Sequence, residues 1–97
     1  MANANVSVQV LPRMKGDRDL YAVVDKAIEV IAESGLKYEV GPMETTIEGD
    51  YDEIMPIVKK AQEAVIAAGS DRVMTIVKID YCPAGVTIDE KIGKYRG

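Results

Sequence analysis

Near the midpoint of the chain, Gly41-Pro42-Met43-Glu44-Thr45-Thr46-Ile47-Glu48-Gly49-Asp50 reads as a turn, a short strand and the start of a helix. β-Branched residues alternate with polar ones over Thr45–Glu48, with Gly-Pro before them and Gly-Asp after. The same order, strand, helix, strand, lies on either side of the midpoint when Thr45–Glu48 is counted with the second half. Ala27–Val40 and Ala61–Val77 match in that order, each helix closing on a glycine just before a strand. A chain built this way has few ways to fold.

The individual elements follow from periodicity. Val6-Ser7-Val8-Gln9-Val10-Leu11 alternates with a period of two and predicts a strand ending at Pro12, with Val6, Val8 and Val10 buried and Ser7 and Gln9 facing the other way. The charged loop Pro12–Arg18 holds Gly16, and Asp17 or Asp19 can cap the next helix. Leu20, Val24, Ala27, Ile28 and Ile31 form one helical stripe, which Gly35 stops. Leu36–Val40 is the second strand, with Leu36, Tyr38 and Val40 on one face.

After the central strand, Asp50 or Asp52 can cap a second helix, and Asp50 with Glu53 has the spacing of a capping box. Ile54, Ile57, Val58, Ala61, Ala64, Val65 and Ala68 make its apolar stripe, and Gly69 ends it. Pro56 cannot donate to the carbonyl four residues back, so the regular helix is expected to begin near Asp52 or to bend in its first turns. Arg72–Asp80 is the last long strand, with Val73, Val77 and Ile79 on one side and Met74 and Ile76 on the other. Apolar residues on both sides suggest burial of the second face against another subunit. Ile88–Tyr95 reads as a short helix with Ile88, Ile92 and Tyr95 spaced to lie on something apolar.

The order β-α-β-β-α-β, with right-handed crossovers, puts both helices on one face of a four-stranded antiparallel sheet. The expected class is therefore α+β, a ferredoxin-like sandwich of one domain over residues 1–97 with the first and third strands central and a short C-terminal helix added. The opposite, open face then presents Ser7 and Gln9 from one central strand and Thr46 and Glu48 from the other.

Composition narrows the chemistry. The chain has no histidine and one cysteine, Cys82. That removes Ser-His-Asp and Cys-His catalysis, the usual zinc sites and an internal disulfide. A net charge of −4 with interspersed signs, and aromatics limited to five scattered tyrosines, argue against nucleic acid as a partner. No segment approaches the ~18 apolar residues of a membrane span. The first residues lack the basic flank and apolar run of a signal peptide, so a cytoplasmic protein without membrane attachment is the default expectation.

At Gly35-Leu36-Lys37-Tyr38, Gly41-Pro42-Met43, Thr45-Thr46-Ile47-Glu48-Gly49, Asp71-Arg72-Val73, Thr75 and Lys78-Ile79-Asp80, the chain resembles the small YkoF-type thiamine-binding proteins. The resemblance runs from about Val6 to Asp80 and is looser around Asp89-Glu90-Lys91. It implies a ferredoxin-like subunit that assembles into homodimers or homotetramers through its sheets. It also implies binding of thiamine or its hydroxymethylpyrimidine part, with no catalysis and with thiamine as ligand rather than cofactor. The chain departs from the family's usual pattern at Arg13-Met14-Lys15 and at Tyr81-Cys82-Pro83.

Thiamine offers an aminopyrimidine edge and a cationic thiazolium, to which a carboxylate can give charge-assisted bonds. Glu48 is the expected carboxylate, with Thr46, Ser7 and Gln9 as neighbours across the sheet and Thr45 beside them. The plainer reading pairs Glu48 with Lys78 or Arg72 at a subunit interface. Arg72 and Lys78 share a side of their strand and either bind an anion or neutralise Glu48 and Glu39. Tyr38 and Met43 either pack or stack on a ligand ring. Two other functions compete: an oligomeric regulatory or sensor module for another small metabolite or anion, and an acylphosphatase-type enzyme. The latter wants a Gly-rich phosphate cradle after the first strand, which Arg13–Arg18 lacks.

Overall fold

A computed structural model describes residues 2–13 and 20–96. Along the chain run β1 (Ala4–Arg13), α1 (Leu20–Glu33), β2 (Lys37–Val40), β3 (Thr45–Gly49), α2 (Tyr51–Ala67), β4 (Arg72–Tyr81) and α3 (Ile88–Ile92), which continues into a 3-10 turn over Gly93–Tyr95. The sheet order is β2-β3-β1-β4 and every neighbouring pair is antiparallel. This is the ferredoxin-like α+β sandwich, with β1 and β3 central. The expected caps Asp17 and Asp19, and the rest of the loop from residue 14 to residue 19, lie outside the described residues.

Strand parity sorts the side chains as the alternation predicts. Ala4, Val6 and Val8 of β1 meet Ile31, Ile47, Ile54 and Val58 in one buried cluster. Burial of each isoleucine or valine side chain stabilises the fold by roughly 1.5–3 kcal/mol before entropy is counted. A second cluster of Val23, Ala27, Ala61 and Val65 joins the two helices, its alanines allowing close approach.

The structure corrects the α1 stripe. Its buried row is Val23, Ala27 and Ile31, while Leu20 is exposed and Val24 and Ile28 are half-buried. The row is turned because α1 must face α2 as well as the sheet.

Pro12 does not end β1, which continues beside β4 through Pro12↔Val73 and Arg13↔Arg72. Pairing with β3 stops at Val8, so beyond that residue β1 has a strand on one side only. A missing N–H is tolerated at such an edge.

Helix α2 starts at Tyr51 despite Pro56 within it. Asp50 accepts from the Asp52 N–H, and the Asn3 side chain accepts from the Tyr51 N–H at 2.9 Å, so two of the orphan donors are satisfied. The carbonyl to which Pro56 cannot donate belongs to Asp52, an exposed residue, so the missing bond falls on the solvent side of the helix. Gly35 and Gly69 close the two helices with φ of 80° and 116°, values that suit glycine.

Two apolar residues are less buried than expected: Ile79 near the end of β4 and Tyr95 in the 3-10 turn are both exposed.

Candidate functional site

The open face of the sheet is set by register. Asn5, Ser7, Gln9 and Leu11 of β1 share it with Thr46 and Glu48 of β3, Lys37 and Glu39 of β2, and Arg72, Met74, Ile76, Lys78 and Asp80 of β4. Helix α3 lies across one half of this face. Its first amide, Ile88 N–H, donates to Glu48 Oε1 at 2.7 Å, and Thr87 caps the next turn.

Ion pairs add a rim to this attachment: Lys37–Asp89 and Lys91–Asp80 at 2.6 Å, and Arg96 with Glu39 and Asp89 at 2.8 and 2.7 Å. Hydrogen bonds from Lys37 and then Arg96 hold the Asp89 carboxyl below its ordinary range. All of these pairs are exposed, so each alone contributes little.

Between α3 and the sheet lies a groove of about 380 Å³, lined among others by Asn5, Ser7, Glu44, Thr46 and Lys78. Beside it, a second of about 580 Å³ shares Glu39, Glu44, Thr46 and Ile92. Glu44 stands between the two. Ser7 Oγ donates to Glu44 Oε2 at 2.8 Å and Lys78 Nζ to Glu44 Oε1 at 3.0 Å. Those two bonds, Ser7's first, hold the Glu44 carboxyl below its ordinary range. The groove is thus offered an ionised carboxylate of fixed orientation.

The local backbone explains why Glu44 can do this. It closes the β2–β3 turn, its carbonyl accepting from Gly41 N–H at 2.8 Å. A Cβ on Gly41 would stand 2.9 Å from that same carbonyl oxygen, so the turn requires glycine there.

Of the residues expected from sequence, the groove brings together Ser7, Thr46 and Lys78. Glu48 is on the predicted face, but its contact is with the α3 backbone, and Lys78 pairs with Glu44 in its place. Gln9 stands one step along β1, opposite Ile76. Arg72 is six residues from Lys78, roughly 20 Å along an extended strand, opposite Arg13. Tyr38 and Thr45 fall on the other side of the sheet: Tyr38 opposes Ile47, and Thr45, opposite Val8, is buried. Met43 is exposed at the tip of the turn and lines the second groove.

Sequence reasoning passed over Asn5, Glu44 and Asp80. Parity would have found Asn5 and Asp80, which continue the alternation of Ser7 and Lys78. Glu44 sits in a turn, where no alternation applies. Among the described residues, no group of three or more His, Cys, Asp or Glu could hold a metal ion. No helix among them is long and apolar enough to cross a membrane.

Comparison with known proteins places these features in a family. A family model described as thiamine-binding protein matches residues 6–96. A UPF0045 protein of Clostridium perfringens is 58% identical over 96 residues, covering 99% of this chain and all of that one. Among solved structures, a domain of unknown function from Bacillus cereus superposes with a TM-score of 0.91 at 52% identity, covering 98% of this chain and 92% of its own. A proposed thiamine biosynthesis or salvage protein from Thermotoga maritima superposes with a TM-score of 0.87 at 42% identity, covering 97% and 99%.

Proposed function

The chain belongs to the thiamine-binding protein family, and from that premise we propose that it binds thiamine or its hydroxymethylpyrimidine part, without catalysis, in the groove between the open sheet face and α3. The observation that carries this reading is the Glu44 carboxylate, held ionised by Ser7 and Lys78 at the groove's edge. A carboxylate in that state accepts from an exocyclic amine, pairs with a protonated ring nitrogen, or faces a thiazolium.

Size and polarity agree with such a ligand. A volume of about 380 Å³ is in the range of small-molecule sites. Three carboxylates line the groove, Glu39, Glu44 and Asp80, and each is paired with one cation, Arg96, Lys78 and Lys91 in turn, so the lining is balanced in charge and polar in character. Thr46 adds a hydroxyl that both donates and accepts.

The uncovered half of the open face supports self-association. Leu11, Met74 and Ile76 are exposed there, beyond the reach of α3. A second copy laid on this face would bury them, and a homodimer or homotetramer built this way would put the ligand groove near a subunit interface.

Titration calorimetry with thiamine and with hydroxymethylpyrimidine tests the reading. Saturable heat with at least one of them is expected. Absence of heat with either at several hundred micromolar protein would overturn it. The exposed apolar half-face also favours a second reading, an assembly module whose groove takes another small metabolite. A thermal-shift screen separates the two, because any ligand of the native state raises the melting temperature.

A further inference from the structure

We propose that Asn5 is the residue by which the groove selects a ligand bearing an amino group; this rests on the reading of the groove as an aminopyrimidine site. Asn5 is 97% buried on the open face, since only 3% of its surface is exposed, and it lines the groove with Ser7 and Glu44. Its Nδ2 donates to the carbonyls of Ala4 at 3.1 Å and Val86 at 3.4 Å. Turning the amide over would set Oδ1 against both carbonyl oxygens, so the orientation is determined by its partners.

Oδ1 then meets no donor among the described residues. A buried acceptor without a donor is a standing cost that native proteins rarely keep without a use. The surroundings cannot relieve it. Directly across the ladders from Asn5 stand Glu48 and Asp80, themselves acceptors already engaged by the Ile88 amide and by Lys91. The next residue along the same face, Ser7, spends its hydroxyl proton on Glu44. Around Asn5 the ladder neighbours are therefore acceptors, and the lysines of the groove, Lys78 and Lys91, are engaged with Glu44 and Asp80.

A ligand amino group supplies the missing donor. Oδ1 exposes less than 1 Å², so the ligand reaches it as the segment at Val86 gives way. Val86 is tied there by two bonds, its N–H to the Ala2 carbonyl at 3.2 Å and its carbonyl to Asn5 at 3.4 Å, both at the long end for hydrogen bonds. Sites built to hydrogen-bond a ligand group reject analogues lacking it far more strongly than apolar pockets reject a missing methylene.

Calorimetric titration of the full-length protein with 4-amino-5-hydroxymethyl-2-methylpyrimidine, and with the same pyrimidine carrying hydrogen in place of the amino group, tests this. In the wild type the amino compound is expected to bind at least ~100-fold more tightly. In Asn5→Ala that ratio is expected to fall below about tenfold, and the volume-matched Asn5→Leu to behave alike; loss of a ratio, unlike loss of binding, is not what a merely loosened fold produces. A wild-type ratio near one, or a ratio that survives in both variants, overturns the role of Asn5 and leaves thiamine binding standing. No heat with either pyrimidine or with thiamine overturns both.

Discussion

Ser7 Oγ donates to Glu44 Oε2 at 2.8 Å, joining a central strand to a turn 37 residues later. Through this bond, the β1 residue that alternation turns away from the helices orients a carboxylate that alternation does not reach. The pair, completed by Lys78, is the polar centre of the open face.

Loss of the Ser7 hydroxyl should raise the Glu44 pKa. Glu44 titrates below its ordinary 4.5, with the Ser7 bond as the largest cause. A carboxylate whose folded pKa is depressed contributes stability that is complete above the unfolded value and is lost as pH falls through the lower folded value. Carbon-detected NMR titration of the Glu44 carboxyl should therefore show Ser7→Ala moving its midpoint up toward 4.5. An unmoved midpoint would remove Ser7 from the account.

Glu44→Gln keeps the shape of the side chain and removes its charge. Thiamine affinity is expected to fall about tenfold or more, since charge-assisted bonds are roughly twice as strong as neutral ones. Calorimetry alongside a melting curve measures both consequences. Unchanged affinity would move the ligand away from Glu44.

Glu48→Ala is expected to act on α3 rather than directly on ligand. The Ile88 amide loses its acceptor, at a cost of about 1–2 kcal/mol, comparable to losing a helix cap. Hydrogen–deuterium exchange should speed up over Ile88–Ile92 and remain unchanged in α2. High salt should loosen the same segment modestly in the wild type, because exposed ion pairs to Lys37 and Asp80 add to the burial of Ile88 in holding it.

Gly41→Ala places a methyl group 2.9 Å from the Glu44 carbonyl. The neighbour is backbone, so the turn must shift. Destabilisation of about 1–3 kcal/mol is expected from such crowding, together with weaker thiamine binding because Glu44 moves with the turn. Gly93→Ala is a matched control, since its Cβ would meet nothing within 4 Å.

Met74→Glu puts a charge into the exposed apolar half of the open face. Sedimentation velocity should show the wild type as an oligomer and the variant shifted toward monomer, with circular dichroism unchanged. A monomeric wild type would leave Leu11, Met74 and Ile76 without the partner proposed for them.

Much of this molecule follows from local pattern alone. Period-two alternation in Val6–Leu11 and Thr45–Glu48 places Ser7, Thr46 and Glu48 on one face, and the register bears this out. Helical spacing over Ile54–Val65 and the closing glycines at 35 and 69 likewise set α2 and both helix ends. Both kinds of signal are carried by neighbouring residues, so they survive without knowledge of the rest of the chain.

What only the folded chain decided is which carboxylate serves the groove. By sequence Glu48 is the obvious choice, and it does face the right way. Yet α3 returns to the sheet 40 residues later and brings a bare amide to it, so Glu48 anchors the helix. Glu44, in a turn without periodicity, receives Ser7 and Lys78 in its place. Side-chain direction is a local property of a strand, written into every second residue. A side chain's partner is set by which distant segments pack together, and no local pattern records that.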